Sequence, residues 1–191
     1  MNKITNTEKY WMDIVEHVAK ASTCRVNVGC VLMKYFQIVG TGYVGSVRGD
    51  HHCNDIGCLF VETDIHGSSE KKQSCINTMH AELNAVLKCQ ERDQLFAFCT
   101  MQPCLRCLQA MLQIGVKIIV YQKPYRDLWR DKYIAETQIV FDIREYRNDE
   151  DEDDNDLFVS KGLPYYSCMP KKSHDIFDEE AYAKTFVDWW K

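Results

Sequence analysis

Long apolar runs are missing from this chain of 191 residues. No stretch approaches the roughly 20 consecutive apolar residues that cross a bilayer as a helix, so no membrane-embedded role is expected. Residues 1–8 are polar and lack the apolar core of a signal peptide, which makes the cytoplasm the expected compartment. A strongly basic surface is missing too. The net charge is −5, and seven of the 28 Asp and Glu fall within residues 149–156, leaving the rest of the chain nearly neutral. Such a body has little to neutralise a polynucleotide backbone, whereas a small anionic substrate needs only one or two well-placed cations. Internal repeats are absent, and low complexity is confined to the acidic run. What remains, at 46% hydrophobic and 12% aromatic residues, reads as one globular domain with an appendage.

Cysteine, in contrast, is abundant, with ten in the chain. In a small secreted protein that number would suggest a disulfide framework. With nothing directing secretion, and two cysteines at metal-binding spacing, reduced thiols are the better expectation.

Hydrophobic periodicity gives an alternating order of elements. Thr5-Asn6-Thr7-Glu8 fits a capping box ahead of a helix over residues 10–21, with Trp11, Ile14, Val15 and Val18 on one face. Strands are expected over 28–33 and 37–43 around a tight break at 34–36, and over 95–100, 116–121 and 138–143. Helices are expected over 80–90, capped by Thr78, and over 104–114 and 126–136. The stretch 47–77, rich in Cys, His, Gly and Ser, reads as a long irregular insertion that needs an anchor. Alternation of this kind makes a layered α/β domain. Beyond residue 144 the pattern dissolves into the acidic run, which is followed by an amphipathic segment over 176–190 that carries Phe177, Tyr182, Phe186, Trp189 and Trp190. That segment is expected to dock on the body or on a neighbouring subunit.

His80-Ala81-Glu82, answered by Pro103-Cys104-Leu105-Arg106-Cys107, is the most informative pattern. Hydrolytic zinc takes three protein ligands and leaves a fourth position open for water. His80, Cys104 and Cys107 supply the three. Glu82 is close enough in sequence to stand beside the open position and carry protons there without binding the metal. Both segments fall at predicted helix starts, whose partial positive charge favours thiolate over thiol. Alone, a C-x-x-C could be a redox pair or half of a structural zinc knuckle, and a lone histidine is usually a core residue. The combination points to catalysis.

With these motifs, residues 10–143 resemble the zinc-dependent cytidine deaminase superfamily, and most closely the deoxycytidylate deaminases. The resemblance also rests on Val28-Gly29-Cys30-Val31-Leu32, Gly42-Tyr43-Val44-Gly45, the continuation Leu83-Asn84-Ala85, and Ile119-Val120-Tyr121 with Tyr125 beyond. It implies a three-layer cytidine deaminase-like α/β fold, a five-stranded mixed sheet flanked by helices. Residues 1–147 would form the catalytic domain, with an insertion at about 46–77, and 148–191 an acidic linker and amphipathic extension. The implied reaction is hydrolytic removal of the exocyclic amine, turning dCMP into dUMP for thymidylate synthesis. His80, Cys104 and Cys107 would hold the catalytic zinc, and Glu82 would move the protons. A homohexamer and regulation by dCTP and dTTP are common in the group and are carried over as expectations.

One departure stands out. The group's turn usually reads Gly-Tyr-Asn-Gly, with the asparagine helping to hold the sugar, and Val44 occupies that position. Arg25 and Tyr125 are the candidate substrate contacts, each also readable as an ordinary surface or packing residue. Deamination of cytidine or dCTP therefore stays open as an alternative. So does a zinc-stabilised binding module without activity, although Glu82 argues against it.

Cys53, Cys58 and Cys75 crowd the insertion beside His51, His52 and His66. Structural zinc closes such loops with four Cys or His ligands, and several bacterial and viral members of the resembled group carry a second zinc here. Cys24, Cys53, Cys58 and Cys75 form the expected set, with His52 or His66 as replacements. Scattered thiols are the competing reading. Cys30, Cys89 and Cys99 read as core residues.

Overall fold

The computed structural model describes residues 6–146. Successive residues of β1 (Gly29–Lys34) enter two different cores, Cys30 and Leu32 on one side and Val31 and Met33 on the other. Five consecutive buried residues belong to a strand covered on both faces, and β1 is such a strand. The sheet runs in the order β2 (Gln37–Tyr43), β1, β5 (Leu95–Met101), β6 (Val116–Lys123) and β7 (Asp142–Glu145). Pairing is antiparallel from β2 through β5 and parallel from β5 to β7. The parallel pairs need crossovers, which are α4 (Leu105–Gln113) and α5 (Leu128–Glu136).

Helix α1 (Asn6–Ala19) covers one face, packing Trp11, Met12 and Val15 on Val31, Met33, Phe98, Ile118 and Val120. On the other face α3 (Ala81–Lys88), α4 and α5 bring Ala81, Ala85, Leu108, Met111 and Ile134 onto Cys30, Leu32, Ala97, Cys99 and Ile119. This is the expected three-layer mixed sheet. Gly42 lets α3 lie close to β2, because a Cβ there would stand 2.0 Å from the Ala81 carbonyl oxygen.

Several boundaries differ from expectation for identifiable reasons. The insertion is not irregular: it holds a short helix, α2 (Cys53–Ile56), and a separate hairpin of β3 (Phe60–Asp64) and β4 (Lys71–Cys75). β4 reads Lys-Lys-Gln-Ser-Cys, and with no apolar alternation it gave no strand signal. Thr78 is not the cap of α3. Met79 is held extended by a bridge to Gly45, and His80 takes the cap position. The last strand starts at Asp142 rather than 138, since Ile139 and Val140 are exposed and only Phe141 turns inward. The break between β1 and β2 is tighter than a loop: Tyr35 and Phe36 both adopt positive φ, 50° and 62°. That is the backbone of a two-residue hairpin turn, unusual for bulky side chains.

No helix among the described residues is long and apolar enough to cross a membrane. Thr5 of the capping box, the acidic run and the 176–190 segment lie outside the described residues.

Candidate active site

Two helix starts meet on the α3/α4 side of the sheet. His80 and Cys104 both have extended backbone and occupy the N-cap positions of α3 and α4. Neither side chain caps its own helix, so both are free to turn toward each other. His80 Nδ1 lies 3.6 Å from Cys104 Sγ and 3.3 Å from Cys107 Sγ, and all three donor atoms fall within 4.8 Å of one another. Zinc–nitrogen and zinc–sulfur bonds of about 2.05 and 2.3 Å at a tetrahedral angle separate their donors by about 3.6 Å. The donor set and its spacing therefore fit a zinc ion. Cys104 and Cys107 are buried, whereas His80 is exposed, so the cluster is closed by protein behind and open to solvent at the histidine.

Electrostatics in this cluster settle a negative charge on one of the two thiols, Cys104. The Cys104 thiol is pulled down to about 4, first by its hydrogen bond with Cys107 and then, against burial, by His80. Cys107 is driven upward by its shared hydrogen bond with Cys104 and by burial, as expected when two adjacent thiols share one negative charge. His80 is raised by its bond to Cys104, against burial and, to a smaller extent, the Lys72 ammonium.

Glu82, in the first turn of α3, is only 4% exposed. Burial raises its carboxyl pKa, partly offset by the charge of His80 and a hydrogen bond with Cys107. The carboxylate thus sits beside the three donors and is inclined to hold a proton.

A second cluster gathers Cys24, Cys53, Cys58 and Cys75, all within 4.8 Å of one another. Cys24 Sγ is 3.8 Å from Cys58 Sγ, and Cys53 Sγ is 3.6 Å from Cys75 Sγ. These are far longer than a disulfide and close to the roughly 3.8 Å edge of a tetrahedral zinc–thiolate site. All nine described cysteines are free thiols. Neither histidine replacement joins this group: His52 meets Ser46 Oγ at 3.3 Å, and His66 turns to Asp127. Cys30, Cys89 and Cys99 lie in the core.

Each candidate substrate contact has its own partners outside the three metal donors. Arg25 is exposed, with its guanidinium 4.5 Å above the Phe60 ring. Tyr125 is half-buried, and its backbone N–H donates to Gln102 Oε1 at 3.1 Å, two residues ahead of Cys104. Val44 leans on the α3/α4 core, and its backbone is tied to Val28 and Thr23.

Two residues that the sequence reading passed over also meet here. Asp127 caps α5 through Arg130 N–H and accepts from Leu105 N–H at the start of α4. Lys72, on β4, donates to the Tyr125 hydroxyl. An aspartate before Leu-Trp-Arg is a recognisable cap signal, but a polar strand residue such as Lys72 offers none.

Residues 5–123 match the model of the cytidine and deoxycytidylate deaminase zinc-binding region. ComE operon protein 2 of Bacillus subtilis is 33% identical over 123 residues, 62% of this chain and 60% of that protein. A deoxycytidylate deaminase of Schizosaccharomyces pombe is 34% identical over 122 residues, 62% of this chain and 37% of that one. The chain thus spans less than two thirds of the length of these curated relatives. The dCMP deaminase of cyanophage S-TIM5, solved in complex with dCMP and dUMP, superposes with a TM-score of 0.56 at 24% identity, covering 76% of this chain and 100% of that one. It shares the fold.

Proposed function

The chain belongs to the cytidine and deoxycytidylate deaminase zinc-binding family, and from that premise we propose that it hydrolyses the exocyclic amine of dCMP, giving dUMP and ammonia for thymidylate synthesis. The observation that carries this reading is Glu82, a buried carboxyl with a raised pKa beside His80, Cys104 and Cys107. A purely structural metal site has no use for such a group. The names of the relatives, deoxycytidylate deaminases among them, support the same substrate.

His80, Cys104 and Cys107 are the residues that would hold the catalytic zinc. Zinc bound there would supply Lewis acidity, which lowers the pKa of a bound water toward 7. Glu82 takes one proton from the attacking water and delivers it to N3 of the pyrimidine. It then takes the remaining proton from the new C4 hydroxyl and passes it to the amine, which leaves as ammonia when the C4–N bond breaks and the C4 carbonyl forms. A carboxyl whose pKa is raised by burial suits both directions of that transfer. The exposed edge at His80 is the side from which substrate enters. Arg25 and Tyr125 are assigned to substrate contact.

Cys24, Cys53, Cys58 and Cys75 are assigned to a second, structural zinc that fixes the insertion to the turn before β1. The same reading carries a homohexamer, regulation by dCTP and dTTP, and a cytoplasmic location. It also divides the chain at residue 147, between the catalytic domain and the acidic linker with its amphipathic extension.

Val44 favours a second reading. A valine packed on the core offers no amide to a sugar, so deoxycytidine, cytidine or dCTP could be served as well. A spectrophotometric deamination assay on zinc-loaded protein with cytosine, deoxycytidine, dCMP, CMP and dCTP separates these. The expected result is the highest kcat/KM for dCMP. No turnover of any of the five would overturn the proposal.

A further inference from the structure

The hairpin of the insertion brings a cation to the edge of the site. Lys72, on β4, faces Thr63 across the hairpin, and its ammonium reaches out to Tyr125. It donates to the Tyr125 hydroxyl and lies 4.6 Å from the centre of that ring. Tyr125 is bound in turn to Gln102, so the pair stands over the β5–α4 connection that leads into Cys104.

The cations on either side of Lys72 have their own ion-pair partners. Its neighbour Lys71 pairs with Asp64 at 2.6 Å, and Arg126, next to Tyr125, pairs with Glu70 at 2.6 Å. No carboxylate among the described residues forms an ion pair with Lys72. A half-buried ammonium beside two neutralised cations is an imbalance that an anionic ligand would correct. Lys72 has three donors and uses one on Tyr125, while the phenol, having accepted that bond, still has its own O–H to give. Two further N–H groups and one O–H, carried by two atoms in contact with each other, suit a phosphate monoester, and charge-assisted bonds of this kind are the stronger class.

We propose that Lys72, acting with Tyr125, binds the 5′-phosphate of the substrate and is what makes the site prefer a nucleotide to a nucleoside. This rests on the deaminase reading for the identity of the base. It also gives the insertion hairpin a role in specificity, since the hairpin carries Lys72 to the site.

The test is calorimetric binding of dUMP and of deoxyuridine to the zinc-loaded full chain, wild type, Lys72→Ala and Lys72→Arg, alongside deamination of dCMP and deoxycytidine. Wild type should bind dUMP more tightly than deoxyuridine, and Lys72→Ala should weaken dUMP roughly 10- to 100-fold while leaving deoxyuridine within about twofold. Lys72→Arg should recover most of the loss. In turnover, KM for dCMP should rise with little change in kcat. An unchanged dUMP preference in Lys72→Ala, equal losses on nucleotide and nucleoside, or no preference in wild type would each overturn the proposal. The two readings fail separately. A phosphate preference lost in Lys72→Ala by a protein that deaminates nothing defeats the deaminase reading alone. Normal deamination that is insensitive to Lys72 defeats only this one.

Discussion

His66 Nδ1 lies 3.1 Å from Asp127 Oδ2, and the same oxygen accepts from the backbone N–H of Leu105 at 2.9 Å. One fully buried carboxylate thereby joins the turn of the insertion hairpin, the start of α5 and the start of α4, one residue beyond Cys104. The Leu128 N–H bonded to the His66 carbonyl, and the stacking of His66 on Trp129 at 5.3 Å, close the same junction. Removing the carboxylate would leave two backbone N–H groups and a histidine without their acceptor. Asp127→Ala should cost about 2–4 kcal/mol, from the lost cap and the orphaned donors, measured as a shift in urea midpoint of the zinc-loaded protein.

The same carboxylate carries a pH dependence. Burial opposes its charge, but the N–H groups of Leu105 and Arg130, together with His66, outweigh that and hold its pKa below the ordinary 3.8. A depressed folded pKa stabilises the fold fully above the unfolded value, and the contribution is lost as pH falls through the folded one. The stability difference between wild type and Asp127→Asn should therefore be constant from pH 6 down to about 4.5 and shrink below about 3.8. A difference that grew on acidification would refute the assignment.

Gly42 fixes the distance between β2 and the helix that carries Glu82. A Cβ at this position would lie 2.0 Å from the Ala81 carbonyl oxygen and 2.4 Å from the Ala85 nitrogen. Both are backbone atoms, so relief requires moving α3 itself. Gly42→Ala should destabilise by about 1–3 kcal/mol and lower kcat as well, because the moved segment begins at His80. A variant with wild-type midpoint and wild-type kcat would contradict this contact.

The His80 cluster was legible because its residues sit at short sequence intervals, two residues from His80 to Glu82 and three from Cys104 to Cys107. Such spacing survives any fold that starts helices there. The four-cysteine group was legible for a different reason: thiols concentrated in an otherwise unanchored stretch call for a partner. What escaped was everything set by contact between distant polar residues. Lys72 meets Tyr125 across 53 positions, and His66 meets Asp127 across 61. A polar β4 hid the hairpin that makes both contacts, and exposed Ile139 and Val140 pulled the last strand four residues too early.

Four thiols at tetrahedral spacing, added to the His80–Cys104–Cys107 cluster, predict two zinc ions per chain. Cys53→Ser should reduce the metal content to one and lower Tm by about 10 °C or more, as expected from losing roughly 4 kcal/mol in a domain of this size. Metal analysis by plasma mass spectrometry, alongside a thermal scan, measures both. One zinc per chain in the wild type would remove the structural site while leaving the catalytic one intact.

Glu82→Gln separates chemistry from metal binding. The amide keeps the size of the side chain but cannot accept a proton, and Glu82 is not among the three donors that fit zinc. Zinc content should stay at the wild-type level, and the fold should not weaken, since burial penalises the charged carboxylate that the substitution removes. Turnover of dCMP should fall by about 10³-fold or more, because proton delivery to N3 and to the leaving amine both depend on this group. The binding of dUMP, which requires no proton transfer, should change far less. A zinc-replete Glu82→Gln protein working at the wild-type rate would require another residue to carry the protons, and no second carboxylate among the described residues joins the His80 cluster.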